Sequence, residues 1–313
     1  MFKGHFPKGI KMYTGDSFVS MQKQITSNEI KIHNELLNIF HSVETRRFAN
    51  RLGPKIFGLY QRFALIVLCK RSGKAPYKFV KELMESRWVS WLQLKEIPSK
   101  TTLYRWLKEY TLKDLRRFLQ TTCKKPAKLL AVDATGIDSW QRSRHYQRRI
   151  GDPNMPYAKL DILIDTETQI IYDHVLRIKP RHDTLGASSM FKRCRLKQGK
   201  IVADKGYDSE PLHQVARQNN LELYAPVRKS SRNRPKGMWR KRCTQPDKDY
   251  PRRNTVESAI HALKCMVPAL RSRLHYMKKR EIAVAILVYN IERRIKILLR
   301  LFYRILFSNY FSY

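Results

Sequence analysis

The spacing of hydrophobic residues predicts helices in the first third of the chain. Over residues 29–40, apolar side chains recur every three or four positions, which is typical of an amphipathic helix. Residues 56–68 are apolar nearly all round but too short to cross a membrane, so we expect a buried helix. A further amphipathic helix is predicted over residues 77–84. We therefore place an all-helical region at 27–125, after an N-terminal arm at 1–26.

The last helix predicted in this region has features of a DNA-reading helix. Ser99 is a good N-cap before a short basic amphipathic segment that carries Lys100 and Arg105. A helix, a break and then a capped basic helix suit a helix-turn-helix unit, in which the second helix lies in the major groove. Short helices that merely pack together have the same pattern, so both interpretations stay open at this point.

From residue 126 the pattern changes from helical to strand-rich. Short apolar runs bounded by Gly, Pro and Asp predict buried strands, and two of these runs flank a Thr-Glu-Thr segment that predicts a hairpin. The predicted strands are 128–133, 160–165, 169–178, 200–204 and 221–226, and the predicted helices are 184–196 and 211–219. This order predicts an α/β fold with a mixed sheet flanked by helices.

Two of the predicted strands end on an aspartate that is followed by a glycine turn. Asp133 precedes Ala-Thr-Gly, and Asp204 precedes Lys-Gly. Open α/β sheets commonly bind ligands at the carboxyl ends of their strands. Each aspartate alone is more simply a turn residue, but the repeated pattern favours a shared site.

A third acidic residue, Glu257, lies in a basic segment with helical spacing. Arg253 precedes it by four residues and Lys264 follows it by seven, so the three share one face of a helix. Tyr250 joins this face if the helix extends that far. Such a face is often only a solvated surface with an i,i+4 ion pair. Together with the two aspartates, however, it predicts three convergent carboxylates, which suit Mg²⁺ or Mn²⁺.

The charge balance indicates a polyanionic partner. The chain carries 63 Lys and Arg against 26 Asp and Glu, a formal net charge of +37. This excess is costly in self-repulsion, and nucleic acid or an anionic membrane surface would neutralise it. The five cysteines are widely spaced with no C-x-x-C pair, which argues against a zinc site or a disulfide framework and favours a reducing, cytoplasmic compartment. No apolar segment typical of a secretion signal follows Met1.

These segments resemble the signatures of insertion-sequence transposases of the DDE class. In the basic segment, Tyr250, Arg253, Glu257 and Lys264 reproduce the family's Y-x2-R-x3-E-x6-K signature at every spacing. The segments 132–136 and 203–209, which carry the two aspartates, are similar to the family's other two motifs. The resemblance covers about residues 128–297 and implies an RNase H-like catalytic domain, which we place at 126–297. The large β-rich insertion of some relatives is absent.

The resemblance implies a DNA transposase that binds inverted repeats at transposon ends and catalyses cleavage and strand transfer. Two Mg²⁺ or Mn²⁺ ions would be held by Asp133, Asp204 and Glu257. One ion would activate the nucleophile and the other would stabilise the leaving 3′ oxygen. The phosphate near the scissile bond would be contacted by Tyr250, Arg253 and Lys264. The resemblance also implies double-stranded DNA as the partner, a homodimer in the synaptic complex, no membrane contact and a prokaryotic, nucleoid-associated protein.

The segment that precedes this signature is strongly basic. Residues 228–253 hold eleven Lys and Arg and two Asp. We predict a mobile loop over 228–249 that orders on DNA and contacts phosphates through Arg240, Lys241 and Arg242. A solvated charge run would have the same composition. The tail at 298–313 is predicted to be helical and packed on the core or on a second subunit.

Two other functions fit the same residues. An RNase H-like nuclease or resolvase would cut DNA without joining it, and a non-catalytic DNA-binding protein would retain only the basic surfaces. Five further acids could compete for a catalytic role and are ranked lower: Asp138, Asp161, Asp165, Asp183 and Asp208.

Overall fold

The structure, a computed structural model, covers most of the chain. It describes residues 28–308, except 45, 49–54, 140–156, 179–181, 195 and 229–234. The side chains of 157 and of 302–308 are also outside the description. The predicted arm at 1–26, the first part of the basic loop and the end of the tail therefore lie outside the described residues.

The N-terminal region is helical, as predicted. Its helices are α1 (Asn28–His41), α2 (Leu59–Arg71), α3 (Pro76–Met84), α4 (Trp88–Trp91), α5 (Lys100–Glu109) and α6 (Leu112–Thr121). Ser99 caps α5, because its side chain accepts a hydrogen bond from the backbone N–H of Thr102 at 3.2 Å. Residues 85–99, which include α4, connect α3 to α5, whereas the turn of a helix-turn-helix has three or four residues.

The centre of the chain forms one mixed five-stranded sheet. The strands are β1 (Leu129–Asp138), β2 (Tyr157–Asp165), β3 (Ile171–Arg177), β4 (Gly199–Ala203) and β5 (Leu221–Tyr224), in the order β3-β2-β1-β4-β5. Strand β2 pairs antiparallel with β1 on one side and with β3 on the other, while β4 runs parallel to β1 and β5 runs parallel to β4. This confirms the predicted α/β class with a mixed sheet flanked by helices.

Helices cover both faces of the sheet. Alternate residues of β1 point to opposite faces, since side chains alternate along a strand. Leu130 and Val132 pack with α7 (Asp183–Arg193) and α8 (Glu210–Gln218), and Leu129 and Ala131 pack with α10 (Asn254–Met266) and α11 (His275–Ser308). Between the last strand and α10 lie α9 (Met238–Arg242) and a 3₁₀ helix at Tyr250–Arg253. A second 3₁₀ helix, Lys205–Tyr207, follows β4.

Helix α11 joins the sheet to the N-terminal helices. Every residue from 281 to 291 is buried. One face, including Val284, Leu287 and Val288, belongs to the N-terminal core, and another, including Ile282 and Ile286, belongs to the core under the sheet. Among the described residues, no helix is both long enough and apolar enough to cross a membrane.

A buried amide ties α11 to the edge of the sheet. The Asn290 side chain, fully buried, accepts a hydrogen bond from the N–H of Ile171 at 2.9 Å and donates to its carbonyl oxygen at 2.8 Å. The same amide donates to the Thr122 hydroxyl at 2.8 Å. Because unpaired buried polar groups are costly, this network fixes the position of α11 against β3.

Candidate active site

Asp133 and Asp204 lie where two neighbouring strands separate. The parallel ladder between β1 and β4 ends at the pair Val132 and Ala203, one residue before each aspartate. Neighbouring strands lie about 4.8 Å apart, so the two carboxylates start from adjacent points of the sheet. The two aspartates predicted from the sequence to share a site are thus brought together.

The prediction that Asp133 ends its strand is wrong. Strand β1 continues through the Ala-Thr-Gly segment to Asp138, because this part pairs antiparallel with β2, and Asp133 itself pairs with Ile162. The glycine at position 136 therefore lies within the strand. Asp204 does end its strand, as predicted, and is the N-cap of the 3₁₀ helix Lys205–Tyr207.

The two aspartates are held by the backbone in the same way. Oδ1 of Asp133 accepts a hydrogen bond from the N–H of Ala134 at 2.8 Å. Oδ1 of Asp204 accepts one from the N–H of Lys205 at 2.7 Å. In both residues the bond to the following N–H group orients the carboxylate through Oδ1.

Glu257 reaches this edge of the sheet from α10. Val256, Ala259 and Leu263 form the buried face of the helix against the sheet, so Glu257 and Lys264 lie on its exposed side. The expected α-helical face does not include Tyr250, because Tyr250–Arg253 is a 3₁₀ helix that precedes α10. The Tyr250 ring instead packs edge-on against Tyr224, with ring centroids 5.5 Å apart.

Arg253 links two of the three carboxylates. Its Nη2 lies 2.6 Å from Oε1 of Glu257, and its Nη1 lies 3.4 Å from Oδ2 of Asp133. The Arg253 side chain is 17% exposed and that of Glu257 is 57% exposed. Burial alone would lower the pKa of the guanidinium, but the hydrogen bond with Glu257 and the negative charge of Asp133 raise it above its usual value.

The pKa of Asp133 is set by its burial and by the charged residues around it. Partial burial raises the pKa of the Asp133 carboxyl above its usual value. The N–H of Ala134 and the charge of Arg253 oppose this shift, whereas the charges of Asp204 and Glu257 add to it. A carboxylate whose neighbours disfavour its charge gains most from an added cation.

Residues 124–291 match the family model for the transposase DDE domain, which is more than half of the chain. The chain belongs to the transposase DDE domain family. The matched region begins just before β1, contains all three acids and ends within α11. No match is found among curated proteins. Eight chains of solved structures match, including one from a cryo-EM structure of the piggyBac transposase synaptic complex with hairpin DNA. The identity to that chain is 12% with a TM-score of 0.44, over 87% of this chain and 73% of that one.

The oxygen donors of this DDE domain are chemically suited to a divalent cation, which members of the family generally use. Three carboxylates at one sheet edge are the hard ligands that Mg²⁺ and Mn²⁺ prefer. Among the described residues, however, no three His, Cys, Asp or Glu side chains come close enough together to hold a metal ion. In this arrangement the guanidinium of Arg253 supplies the positive charge between Asp133 and Glu257.

The basic segment of the DDE domain is partly packed. Its described part is Arg228 and residues 235–249, and it contains α9. This helix is anchored because Glu210 accepts the N–H groups of Trp239 and Arg240 at 3.2 and 3.0 Å. The guanidinium groups of Arg217 and Arg242 lie over the Trp239 ring, 4.3 and 4.6 Å from its centroid. The predicted free loop is therefore not observed over these residues, and the start of the loop at 229–234 is outside the description.

The three cations predicted to contact phosphate differ in their environment. Arg240 forms two hydrogen bonds of 2.6 and 2.7 Å with Asp208, whose side chain is 0% exposed. Lys241 and Arg242 are exposed. The structure thus places Arg240 in a structural ion pair, and leaves Lys241 and Arg242 at the surface.

The sequence analysis did not predict a buried ion pair beside β1. Asp161, opposite Ala134 on β2, is fully buried and accepts hydrogen bonds of 2.7 to 3.0 Å from the Arg177 guanidinium. Burial raises the pKa of Asp161 to about 6, although Arg177 opposes the shift. Gly186 of α7 lies against this carboxylate, and a Cβ there would meet it at 2.4 Å. A glycine inside a predicted helix was the available signal for this close approach.

Lys100 and Arg105 are both exposed on α5. Leu103 and Trp106, on the opposite side of this helix, are buried in the N-terminal core. The amphipathic pattern predicted for this segment is therefore present, with its basic side facing outward.

Proposed function

We propose that this chain is a DNA transposase that binds inverted repeats at transposon ends and catalyses metal-dependent strand cleavage and strand transfer. The observation that supports the proposal is that Asp133 and Asp204 follow the last pair of the ladder between β1 and β4, and that Arg253 links Asp133 to Glu257, in a chain that belongs to the transposase DDE domain family. Two Mg²⁺ or Mn²⁺ ions, when bound, would activate the nucleophile and stabilise the leaving 3′ oxygen.

The protein's own residues would prepare the reacting phosphate. The backbone N–H groups of Ala134 and Lys205 would keep the carboxylates of Asp133 and Asp204 in place. Lys264 lies two helical turns after Glu257, about 10 Å along α10. It would neutralise another phosphate of the DNA strand that carries the reacting phosphate. Tyr250, the first residue of the 3₁₀ helix before α10, would contact the DNA backbone beside the scissile bond.

DNA would lie across exposed basic residues on both parts of the molecule. The formal net charge of +37 supports a polyanionic partner. We assign phosphate contacts to Lys241 and Arg242 beside the catalytic edge, and contacts with the repeat to Lys100 and Arg105 on α5. Because two transposon ends must be joined to the target together, the chain would act as a homodimer in the synaptic complex. Its location would be the nucleoid, where the DNA lies.

The test uses supercoiled plasmids that carry the ends of the element encoding this chain. With Mg²⁺ or Mn²⁺ we expect nicking at the ends, followed by strand-transfer products. Asp133→Asn, Asp204→Asn and Glu257→Gln should each abolish nicking and leave DNA binding measured without metal largely intact, because each removes a metal ligand without removing a basic residue. Glu222 is an exposed residue of β5, so Glu222→Gln is the matched control and should remain active.

The same assay separates the competing functions. A nuclease or resolvase would nick the plasmid without giving joined products. A non-catalytic DNA-binding protein would retard the DNA in a gel mobility assay without nicking it. Metal-dependent nicking that persists in Glu257→Gln would contradict the assignment of the site.

A further inference from the structure

The position of Arg253 bears on how the site accepts a cation. Its guanidinium bridges carboxylates that are far apart in the sequence, one on β1 and one on α10. The contact with Glu257 is short, at 2.6 Å, and is an i,i+4 pair at the start of the helix. The bridge therefore holds α10 against the sheet through the site itself.

A metal ion between Asp133 and Glu257 would compete with Arg253 for these carboxylates. In Asp133, Oδ1 already accepts the N–H of Ala134, so Oδ2 is the oxygen best placed for a ligand, and Oδ2 is the one that faces Arg253. In Glu257, Oε1 is likewise occupied by Arg253. A divalent cation between these two residues would meet a fixed positive charge, so it can bind well only after the guanidinium has moved.

A phosphate group can draw the guanidinium away. Arginine forms paired hydrogen bonds with phosphate as readily as with carboxylate, and its long side chain can turn without any movement of the backbone. Arg253 is the last residue of the 3₁₀ helix, directly before α10, at the edge where the proposed DNA strand would lie. A phosphate arriving there would accept the bonds that Glu257 and Asp133 now accept.

We propose that Arg253 closes the cation site of the DNA-free protein and that a DNA phosphate opens it by taking over the guanidinium. This inference rests on the proposed function, since it assumes that Asp133 and Glu257 bind metal. It makes metal binding and DNA binding cooperative, and thermodynamic linkage requires each ligand to strengthen the other by the same factor. The DNA-free protein would thereby be kept from loading metal.

The experiment measures Mn²⁺ binding to the full chain by the electron paramagnetic resonance signal of free Mn²⁺, without DNA and with a short duplex of arbitrary sequence. For the wild type we expect weak binding that tightens by about tenfold or more when the duplex is added. Arg253→Gln should bind Mn²⁺ tightly without DNA and gain little from the duplex. Arg253→Lys should fall between them, because a lysine keeps the charge but places its donors on a single nitrogen and lacks the paired N–H groups of the guanidinium.

Two controls keep the outcomes distinct. Arg252→Gln removes a charge of the same sign from an exposed neighbouring residue, and should leave Mn²⁺ binding close to wild type. Asp133→Asn and Glu257→Gln should abolish the binding. If they do not, the proposed metal site is wrong. If they do, but Arg253→Gln binds Mn²⁺ no better than Arg252→Gln, the metal site stands and the role given to Arg253 is refuted.

Discussion

The pairing of Arg240 with Asp208 predicts that neighbouring cations of the basic segment have separable roles. Arg240→Gln leaves a carboxylate that is 0% exposed without its main partner. Burial tends to raise the pKa of Asp208, but hydrogen bonds from Arg240 and from the N–H of Arg228 lower it below its usual value. Removing one member of a buried ion pair typically costs about 3–5 kcal/mol. Since Arg240 is partly exposed, we expect a loss near the lower end.

Arg242→Gln is the matched substitution two residues away. Its guanidinium lies over the exposed side of α9, against Trp239, so it should cost at most about 1 kcal/mol of stability. If Arg242 contacts a DNA phosphate, a plot of the logarithm of the DNA association constant against the logarithm of the salt concentration should become less steep by about 0.9.

Urea unfolding and DNA binding at several salt concentrations test both variants. We expect Arg240→Gln to lower the urea midpoint with little change in the salt slope of the folded protein, and Arg242→Gln to do the reverse. An Arg240→Gln protein with wild-type stability and a reduced salt slope would refute the structural role and restore the phosphate contact inferred from the sequence.

Two further substitutions test the scaffold. Glu281 accepts hydrogen bonds from the backbone N–H groups of Arg271 and Ser272 and pairs with Lys70 at 3.0 Å. Burial alone would raise the pKa of Glu281, but these contacts lower it below its usual value. The contribution of Glu281 to stability is therefore present above its ordinary pKa and is lost as the pH falls through the lowered value. Glu281→Gln should therefore be less stable at neutral pH and flatten the acid limb of a plot of urea midpoint against pH, whereas an unchanged limb would contradict the assignment. Gly186→Ala should cost about 1–3 kcal/mol in urea unfolding, because its Cβ meets a buried carboxylate, and a wild-type midpoint would show that Asp161 can move aside.

The strands and helices could be predicted wherever short-range patterns decide the structure. Alternating or continuous apolar runs located β2, β3, β4 and β5, and the serine cap located α5. The limits of β1 depend instead on pairing with β2, which a linear pattern does not contain, so Asp133 was expected at a strand end. Likewise, Tyr250 fell on the predicted helical face only because spacing alone cannot distinguish a 3₁₀ turn from the first turn of an α-helix.

Ion pairing was the least predictable feature of the site. The sequence presents Arg240, Lys241 and Arg242 as equivalent, and only the fold brings Asp208 to the first of them. Arg253 was correctly placed on the same helical side as Glu257, but its contact with Asp133 joins residues 120 positions apart. Long-range partners of this kind decide which charges face solvent and which are internal.

The central position of α11 has a consequence for synthesis on the ribosome. All five strands are made before this helix, yet it covers part of the sheet and completes the N-terminal core. A nascent chain that has left the ribosomal tunnel only as far as residue 270 would expose the apolar surfaces of two units at once, the N-terminal helices and the sheet. Such a chain is prone to aggregate or to be held by chaperones. We therefore expect both units to reach their native state in one late step, rather than successively as each is translated.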